Sequence, residues 1–270
     1  MKRNVILRTA GLVIVLSSFV VHAELMTYEG YDYDAGAFIG GLNGGTGWGG
    51  SWTHNGYNDK DNVRTGAALS YTDGTFDLPT VGYGHRIDRS FRSAQRLFGQ
   101  RHTSGEFWYS MLVRPENGGA IGFRLLDPNG GSSQISVGTG SGQYALSFDG
   151  NSDSSTVSGD NSDTQFIVLR MDMGTTTSDG SIHMFINPNM GSEPALGTAD
   201  AQLLNQDSTQ MAFERIFLPG GESSSGPPNR YDEIRLADNF ADAFGGVPEP
   251  GSLGLLGLSA LSLLTRRRRA

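Results

Sequence analysis

The apolar residues in the middle of the chain fall into short runs that are separated by turn-forming residues. Each run is rich in aromatic and β-branched residues and ends at Gly, Pro, Asn or Asp, which is typical of β-strands. The runs recur roughly every 8–15 residues, and no longer run has the 3.6-residue period of an amphipathic helix. The predicted strands are 107–114, 120–126, 134–137, 144–148, 165–172, 181–186, 211–218 and 231–236. This pattern predicts an all-β, antiparallel sandwich, with one helical turn on the surface at 199–205.

A different apolar run lies at the N-terminus. Basic residues precede the apolar stretch 10–21, and Val21-His22-Ala23 has the small-residue pattern of a cleavage site. These features together predict a secretory signal peptide at 1–23, exported by the Sec machinery and removed by signal peptidase. The alternative is an uncleaved anchor, but the stretch is shorter than the ~20 residues that span a bilayer.

The C-terminal end has three parts in a fixed order. A Val-Pro-Glu-Pro segment is followed by a Gly-, Leu- and Ser-rich apolar run at 251–264 and then by an arginine cluster. The prolines break preceding structure, the apolar run can enter a bilayer as a short helix, and the arginines remain on the cytoplasmic side. The motif residues are Val247, Pro248, Glu249, Pro250, Arg266, Arg267, Arg268 and Arg269.

This tail, 247–270, resembles the PEP-CTERM sorting signal of Gram-negative bacteria. The resemblance implies recognition by an exosortase, a membrane cysteine protease that cleaves near the Pro-Glu-Pro. The protein would then be anchored transiently in the inner membrane and passed to the cell surface or the extracellular matrix. The alternative is an unprocessed C-terminal membrane anchor.

Composition limits what the segment between the two signals, 24–246, can be. Its length suits one β-rich domain. It contains 13 basic and 27 acidic residues, a net charge of −14, which argues against binding nucleic acid because the phosphates would be repelled. The chain contains no cysteine, so disulfides and thiolate sites are excluded, and its 39 glycines, about twice the usual ~7 %, indicate many tight turns.

The strand order of 24–246 resembles a laminin-G or concanavalin-like jelly roll. The resemblance is carried by strand 107–114, by the pair 165–172 and 181–186, and by the closing segment Tyr231-Asp232-Glu233-Ile234-Arg235. It implies an antiparallel jelly-roll β-sandwich in a protein that binds exopolysaccharide or serves as matrix material.

Two tryptophans in a Gly-rich segment are the candidate ligand-binding residues. Trp48 and Trp52 could form a stacking face for sugar rings. The alternative is that both pack as bulky side chains beneath a Gly-rich turn.

An acidic segment is the candidate metal site. Asp149, Asn151, Asp153 and Asp160 place oxygen ligands at positions 1, 3, 5 and 12 of a loop like that of an EF-hand, which predicts a possible calcium site. The segment lacks the glycine of the sharp turn and the flanking helices. A solvated Ser/Asp/Gly turn is therefore the alternative.

No complete catalytic set is visible in the sequence. The Glu-x-Asp-x-x-Glu triplet of laminarinase-type hydrolases and the Gly-x-Ser-x-Gly motif of hydrolases are both absent from the chain. Asp232 and Glu233 are expected to point to opposite faces of a strand, so that only one can enter a cleft. The sequence therefore predicts a protein that is not an enzyme; the alternatives are a divergent polysaccharide hydrolase or lyase and a purely structural surface protein.

Overall fold

The computed structural model describes residues 25–55, 63–87, 93–115, 121–128, 133–140, 142–159, 163–220 and 229–244. The strands are β1 Leu25–Glu29, β2 Thr53–Asn55, β3 Val63–Thr65, β4 His85–Ile87, β5 Ser93–His102, β6 Gly105–Arg114, β7 Gly122–Leu126, β8 Ile135–Gly140, β9 Gln143–Phe148, β10 Asn151–Ser158, β11 Gln165–Met173, β12 Gly180–Ile186, β13 Ala201–Gln206, β14 Phe213–Pro219 and β15 Asn229–Ala237. One α-helix, α1 Phe240–Phe244, and two 3-10 turns, Leu196–Thr198 and Ser208–Gln210, are also present in these ranges.

The strands form two antiparallel sheets. The eight-stranded sheet has the order β13-β12-β11-β6-β15-β4-β3, and β1 pairs with β15 beside this path. The seven-stranded sheet has the order β10-β9-β8-β7-β14-β5-β2. The predicted antiparallel jelly-roll β-sandwich is therefore confirmed.

The two sheets differ in how many of their faces are covered. In β11, Ile167 and Leu169 belong to the core between the sheets, whereas Phe166 and Val168 belong to a second apolar cluster with α1 on the outer side. Because the eight-stranded sheet is buried on both faces, its central strands are continuous apolar runs.

The seven-stranded sheet has one covered and one open face. Along β9, the residues Tyr144, Leu146 and Phe148 are buried, and the residues between them are partly exposed. This alternation is expected of a sheet with one face on the core and one face in solvent. The outer face of the seven-stranded sheet is thus the broad open strand surface of the sandwich.

One predicted element was wrong, and several were missed. The 3-10 turn Leu196–Thr198 lies just before 199–205, but most of that segment is strand β13, whose Ala201 and Leu203 are buried against β12. Strands β1 to β5 and the Ser-rich β10 were not predicted, because their short or polar sequences lack the apolar content of the other strands.

The two predicted targeting segments, 1–23 and 247–270, lie outside the described residues. Within the described ranges, no helix has the length and apolar character needed to cross a membrane.

Candidate functional site

A groove lies on the outer face of the seven-stranded sheet, over β7, β8 and β9. Its volume is about 500 Å³. Small residues form its floor, because Ser136 pairs with Ser147 and Gly138 pairs with Ala145 across neighbouring strands. The alternation that sends the large apolar residues of β8 and β9 into the core therefore leaves a trough on the opposite face.

A glycine brings two strands close together beside this groove. Gly122 of β7 lines the groove, and a Cβ atom there would collide with the carbonyl oxygen of Val137 on β8. Only glycine allows this approach, so the residue type at this position helps to set the shape of the groove.

Polar side chains stand at the rim of the groove. The exposed Arg124 has its guanidinium carbon 5.6 Å from the ring centroid of Phe217, and its Nη1 lies 3.5 Å from Oε1 of Gln134. On the next strand, Arg215 donates a hydrogen bond of 3.3 Å to Oε1 of Gln95. Among the described residues that line the groove there is no carboxylate.

Two further cavities lie on the same face of the sheet, and one of them shares residues with the groove. One, of about 250 Å³, is lined by Gln95, Arg215 and the loop at Gly50 and Ser51. The other, of about 480 Å³, shares Gln134 and Ser147 with the groove and contains Asp149. The described linings of the three cavities thus offer hydroxyl, amide and guanidinium groups along several strands, and Asp149 is the one carboxylate among them.

The predicted tryptophans lie elsewhere. Trp52 is 1 % exposed and its Nε1 donates to Glu29 over 2.9 Å. Trp48 is partly exposed, donates its Nε1 to the carbonyl oxygen of Tyr28 over 2.9 Å, and stacks on Phe98 at a centroid distance of 5.3 Å. These contacts are those of the packing alternative, and a role of the two rings in ligand binding stays a prediction.

The same tryptophans enclose a buried ion pair that the sequence did not reveal. Glu29 and Arg96 form a salt bridge with both side chains 1 % exposed. Glu29 also accepts hydrogen bonds from the hydroxyl of Tyr33 and the backbone N–H of Tyr31, each at 2.9 Å. Burial, together with the charge of Glu29, raises the pKa of Tyr33 to about 12.

The structure also corrects the expectation for Asp232 and Glu233. A β-bulge interrupts the pairing of β15 with β6 between Asp232 and Arg235, and Glu233 has φ +52°. As a result both acids are buried, and burial raises the pKa of each. They are structural groups rather than cleft residues.

These two acids hold the covering segment 66–84 against the sheet. Asp232 accepts the N–H of Leu69 over 2.8 Å, and Glu233 accepts the N–H of Val81 over 2.7 Å and pairs with Arg235 at 2.7 Å.

The predicted calcium loop is a β-hairpin. Asp149 and Gly150 form a two-residue turn between β9 and β10, and Asn151 and Asp153 belong to β10. The carboxylate of Asp153 accepts the N–H of Gln202 over 2.8 Å, and that of Asp149 accepts the hydroxyl of Ser133 over 2.7 Å. Residues 149–158 therefore form a turn and a strand rather than an EF-hand-like loop, and calcium binding there stays a prediction.

Asp160 lies outside the described residues. In the part of the chain that the structure describes, no group of three or more His, Cys, Asp or Glu side chains is arranged to hold a metal ion.

Comparison with known proteins assigns the C-terminal tail. The model of the family described as "PEP-CTERM protein-sorting motif" matches residues 246–269. The chain carries a PEP-CTERM sorting motif. The motif implies processing by an exosortase and is consistent with export. No curated protein matches the sequence.

Solved structures resemble the sandwich. They include an uncharacterized protein from Mycobacterium paratuberculosis, with 15 % identity, TM-score 0.48 and coverage of 77 % of this chain and 98 % of that one. A glycosyl hydrolase family 16 protein from Mycobacterium smegmatis has 13 % identity, TM-score 0.47 and coverage of 79 % and 100 %. A beta-1,3-glucanase from Mycobacterium marinum has 12 % identity, TM-score 0.46 and coverage of 80 % and 99 %.

These comparisons contradict the prediction that the protein is not an enzyme. That prediction rested on missing sequence motifs, whereas several similar structures are named glycosyl hydrolases or glucanases. The prediction is therefore withdrawn. Identities of 12–15 % concern the fold alone, so the similarity assigns no activity to this chain.

Proposed function

We propose that this protein is exported, sorted at the membrane by an exosortase-type protease, and engages an extracellular polysaccharide through the groove on its seven-stranded sheet. The groove is the observation that supports this proposal. Its floor of small residues and its rim of hydroxyl, amide and guanidinium groups suit a polymer of hydroxyl-rich rings. The two further cavities lie on the same face and would accommodate a chain longer than one sugar.

Filling the groove tests this function. Ala145→Trp places a large ring on the groove floor, and Thr156→Trp places the same ring at an exposed position of β10 that does not line the groove. We expect Ala145→Trp to weaken retention on immobilised exopolysaccharide at least tenfold and Thr156→Trp to leave it unchanged. Equal retention of both variants, with thermal unfolding unchanged, would contradict a binding role for the groove.

The sorting step is tested separately. Deleting 247–270 removes the motif, and we expect the protein to stay in the periplasm or medium rather than to pass through the membrane-anchored form. Fractionation with immunoblotting measures this. Replacing Arg101 with Gln, far from the tail in sequence, is the control and should leave sorting intact. Normal sorting of the deletion variant would refute the proposed role of the tail.

Polysaccharide hydrolysis is the second candidate, and Asp149 is the observation that favours it. Asp149 lies in the cavity that adjoins the groove. Glycoside hydrolysis usually needs two carboxyl groups, and the described residues around the groove supply this one. Release of reducing sugar from a β-1,3-glucan that is lost in Asp149→Asn would support hydrolysis. Asn tolerates the positive φ of this position, so the hairpin should persist.

A further inference from the structure

The arginines at the groove differ from other arginines of the sandwich surface. Arg101 pairs with Asp127 at 2.7 Å, and Arg170 pairs with the three carboxylates of Glu106, Asp172 and Glu193. Within the described residues, Arg124 and Arg215 instead contact the amide side chains of Gln134 and Gln95. No carboxylate of the described part of the chain therefore pairs with these two guanidinium groups.

This difference stands out against the composition of the protein. The segment 24–246 contains 27 acidic and 13 basic residues, so carboxylates are available to most surface arginines. Among the described residues, no carboxylate lines either the groove, which contains Arg124, or the cavity across β14, which contains Arg215. This part of the face therefore has a charge opposite to that of the whole body.

The two arginines are close enough to act on one ligand. Arg124 lies directly across from Phe217 in the β7–β14 ladder, and Arg215 is two residues before Phe217. Diagonal neighbours of this kind are about 7–8 Å apart on one face of a sheet. The ring of Phe217 lies beside the Arg124 guanidinium and offers an apolar surface at the same place.

We propose that the groove takes a polysaccharide whose sugars carry carboxylate groups, with Arg124 and Arg215 binding the carboxylates. This inference rests on the function proposed above and narrows its ligand class. Arginine suits the task because its planar guanidinium donates two parallel hydrogen bonds to a carboxylate. The acidic remainder of the surface does not prevent this contact, because charges farther than a Debye length of about 8 Å are largely screened at physiological salt.

The carboxylate of Asp149 limits the cationic region at one end. It lies in the adjoining cavity rather than in the groove, and its Oδ1 accepts a hydrogen bond from Ser133. We therefore expect the bound polymer to run from the groove toward Arg215 rather than toward the β9–β10 turn.

The experiment compares an acidic and a neutral polymer on the full-length chain in mild detergent. Polygalacturonate and dextran are the probes, and affinity electrophoresis measures dissociation constants. We expect polygalacturonate to bind at least tenfold more tightly than dextran. We expect the double variant Arg124→Gln/Arg215→Gln to lose that preference, because its binding to polygalacturonate weakens far more than its binding to dextran.

Arg101→Gln is the matched control, because it removes one positive charge from the same sheet outside both cavities. Circular dichroism and thermal unfolding confirm that each variant is folded. The single variants Arg124→Gln and Arg215→Gln are compared with it. If Arg101→Gln weakened binding to polygalacturonate as much as either of them, the net charge of the protein would explain the effect and the inference would fail.

The remaining outcomes separate this inference from the proposed function. Equal binding of polygalacturonate and dextran, both lost in Ala145→Trp, would keep the polysaccharide function and overturn the acidic ligand. No retention of the wild-type chain on either probe or on native exopolysaccharide would overturn both.

Discussion

At the residue scale, Glu29 and Arg96 form a buried contact that is costly to disturb. Both side chains are 1 % exposed, and each has additional hydrogen-bond partners, with Arg96 donating to Asn43 over 2.7 Å. Removing one member of such a pair leaves an uncompensated charge in a poorly solvated place, which costs about 3–5 kcal/mol.

Glu29→Gln should therefore lower the free energy of unfolding by about 3–5 kcal/mol, measured by urea denaturation. Glu193→Gln is the control, since Glu193 is 53 % exposed and its pair with Arg170 should contribute less than about 1 kcal/mol. A loss below about 1 kcal/mol in Glu29→Gln would show that the pair contributes little to folding.

His85 gives the sandwich a dependence on pH. It is fully buried against Tyr31 and Trp52, and neither ring nitrogen has a hydrogen-bond partner among the described residues. Desolvation lowers its pKa to about 3, whereas an unfolded histidine titrates near 6.5. Below that pH the unfolded chain binds a proton that the folded chain does not, so stability is complete above about pH 6.5 and falls as pH decreases toward 3.

This predicts a loss of up to about 1.4 kcal/mol per pH unit from His85 alone. In His85→Phe, the decline of unfolding free energy between neutral pH and pH 4.5 should be smaller than in the wild-type chain. Burial also lowers the pKa of His102, to about 4. His102 is present in both proteins, so its contribution to the pH dependence of stability cancels when the two curves are subtracted. Parallel curves for the two proteins would rule out His85 as the source.

Sequence reasoning did not find the groove, because its residues are brought together by pairing with neighbouring strands. Trp48 and Trp52 are conspicuous in sequence, yet the polar partners that bury them are distant residues such as Glu29 and Arg96. Arg124, Ser136 and Ser147 carry no motif, and only the strand register brings them to one groove. The outward position of alternate residues in the predicted strand 144–148 was the one available signal.

Among the elements, the β9–β10 hairpin depends on the backbone conformation of its two turn residues. Asp149 and Gly150 have φ +49° and +78°, as a type I′ turn requires, and this turn matches the twist of the flanking strands. A Cβ added at Gly150 would meet no neighbouring atom within 4 Å, so replacement there changes the backbone preference without creating a clash.

Gly150→Ala should accordingly lower stability by about 1–2 kcal/mol. Gly197→Ala is matched to it, because Gly197 also has open space around it and lacks a positive φ; we expect a change within about 0.5 kcal/mol. Thermal unfolding of both variants measures the difference, and equal effects would contradict the turn assignment.

The two most conspicuous predicted strands owe their visibility to burial. Residues 107–114 and 165–172 lie in a sheet with both faces covered, so most of their side chains are apolar. Strand β10 is a Ser- and Thr-rich edge strand, and β1 to β4 are short and are held largely by pairing with distant strands. Local sequence cannot reveal an element whose stability comes from its partners.

At the scale of the whole molecule, α1 is the last element that the structure describes, and it packs on the sandwich. Phe240 and Phe244 of α1 pack on the outer face of the eight-stranded sheet against Trp108 and Phe166, and Ser110 donates a hydrogen bond to the carbonyl oxygen of Ala243. The sorting motif begins at residue 246, immediately beyond this helix.

Ending the chain after Asn239 should therefore uncover aromatic side chains and lower stability by about 3 kcal/mol or more. Ending it after Gly246 retains α1 and should leave stability unchanged. Thermal unfolding and binding of a hydrophobic dye compare the two truncated proteins. Equal stability of both would show that α1 is dispensable.

The pairing of β1 with β15 joins the first described strand to the last one. A chain that is threaded through a translocon from its N-terminus delivers β1 first, and β1 must then wait until nearly the whole sandwich has crossed. The final ladder can form only once Ile234 to Ala237 have emerged. In the proposed export from the N-terminus, this ladder is therefore completed only at the end of translocation, when the sorting motif is about to reach the membrane.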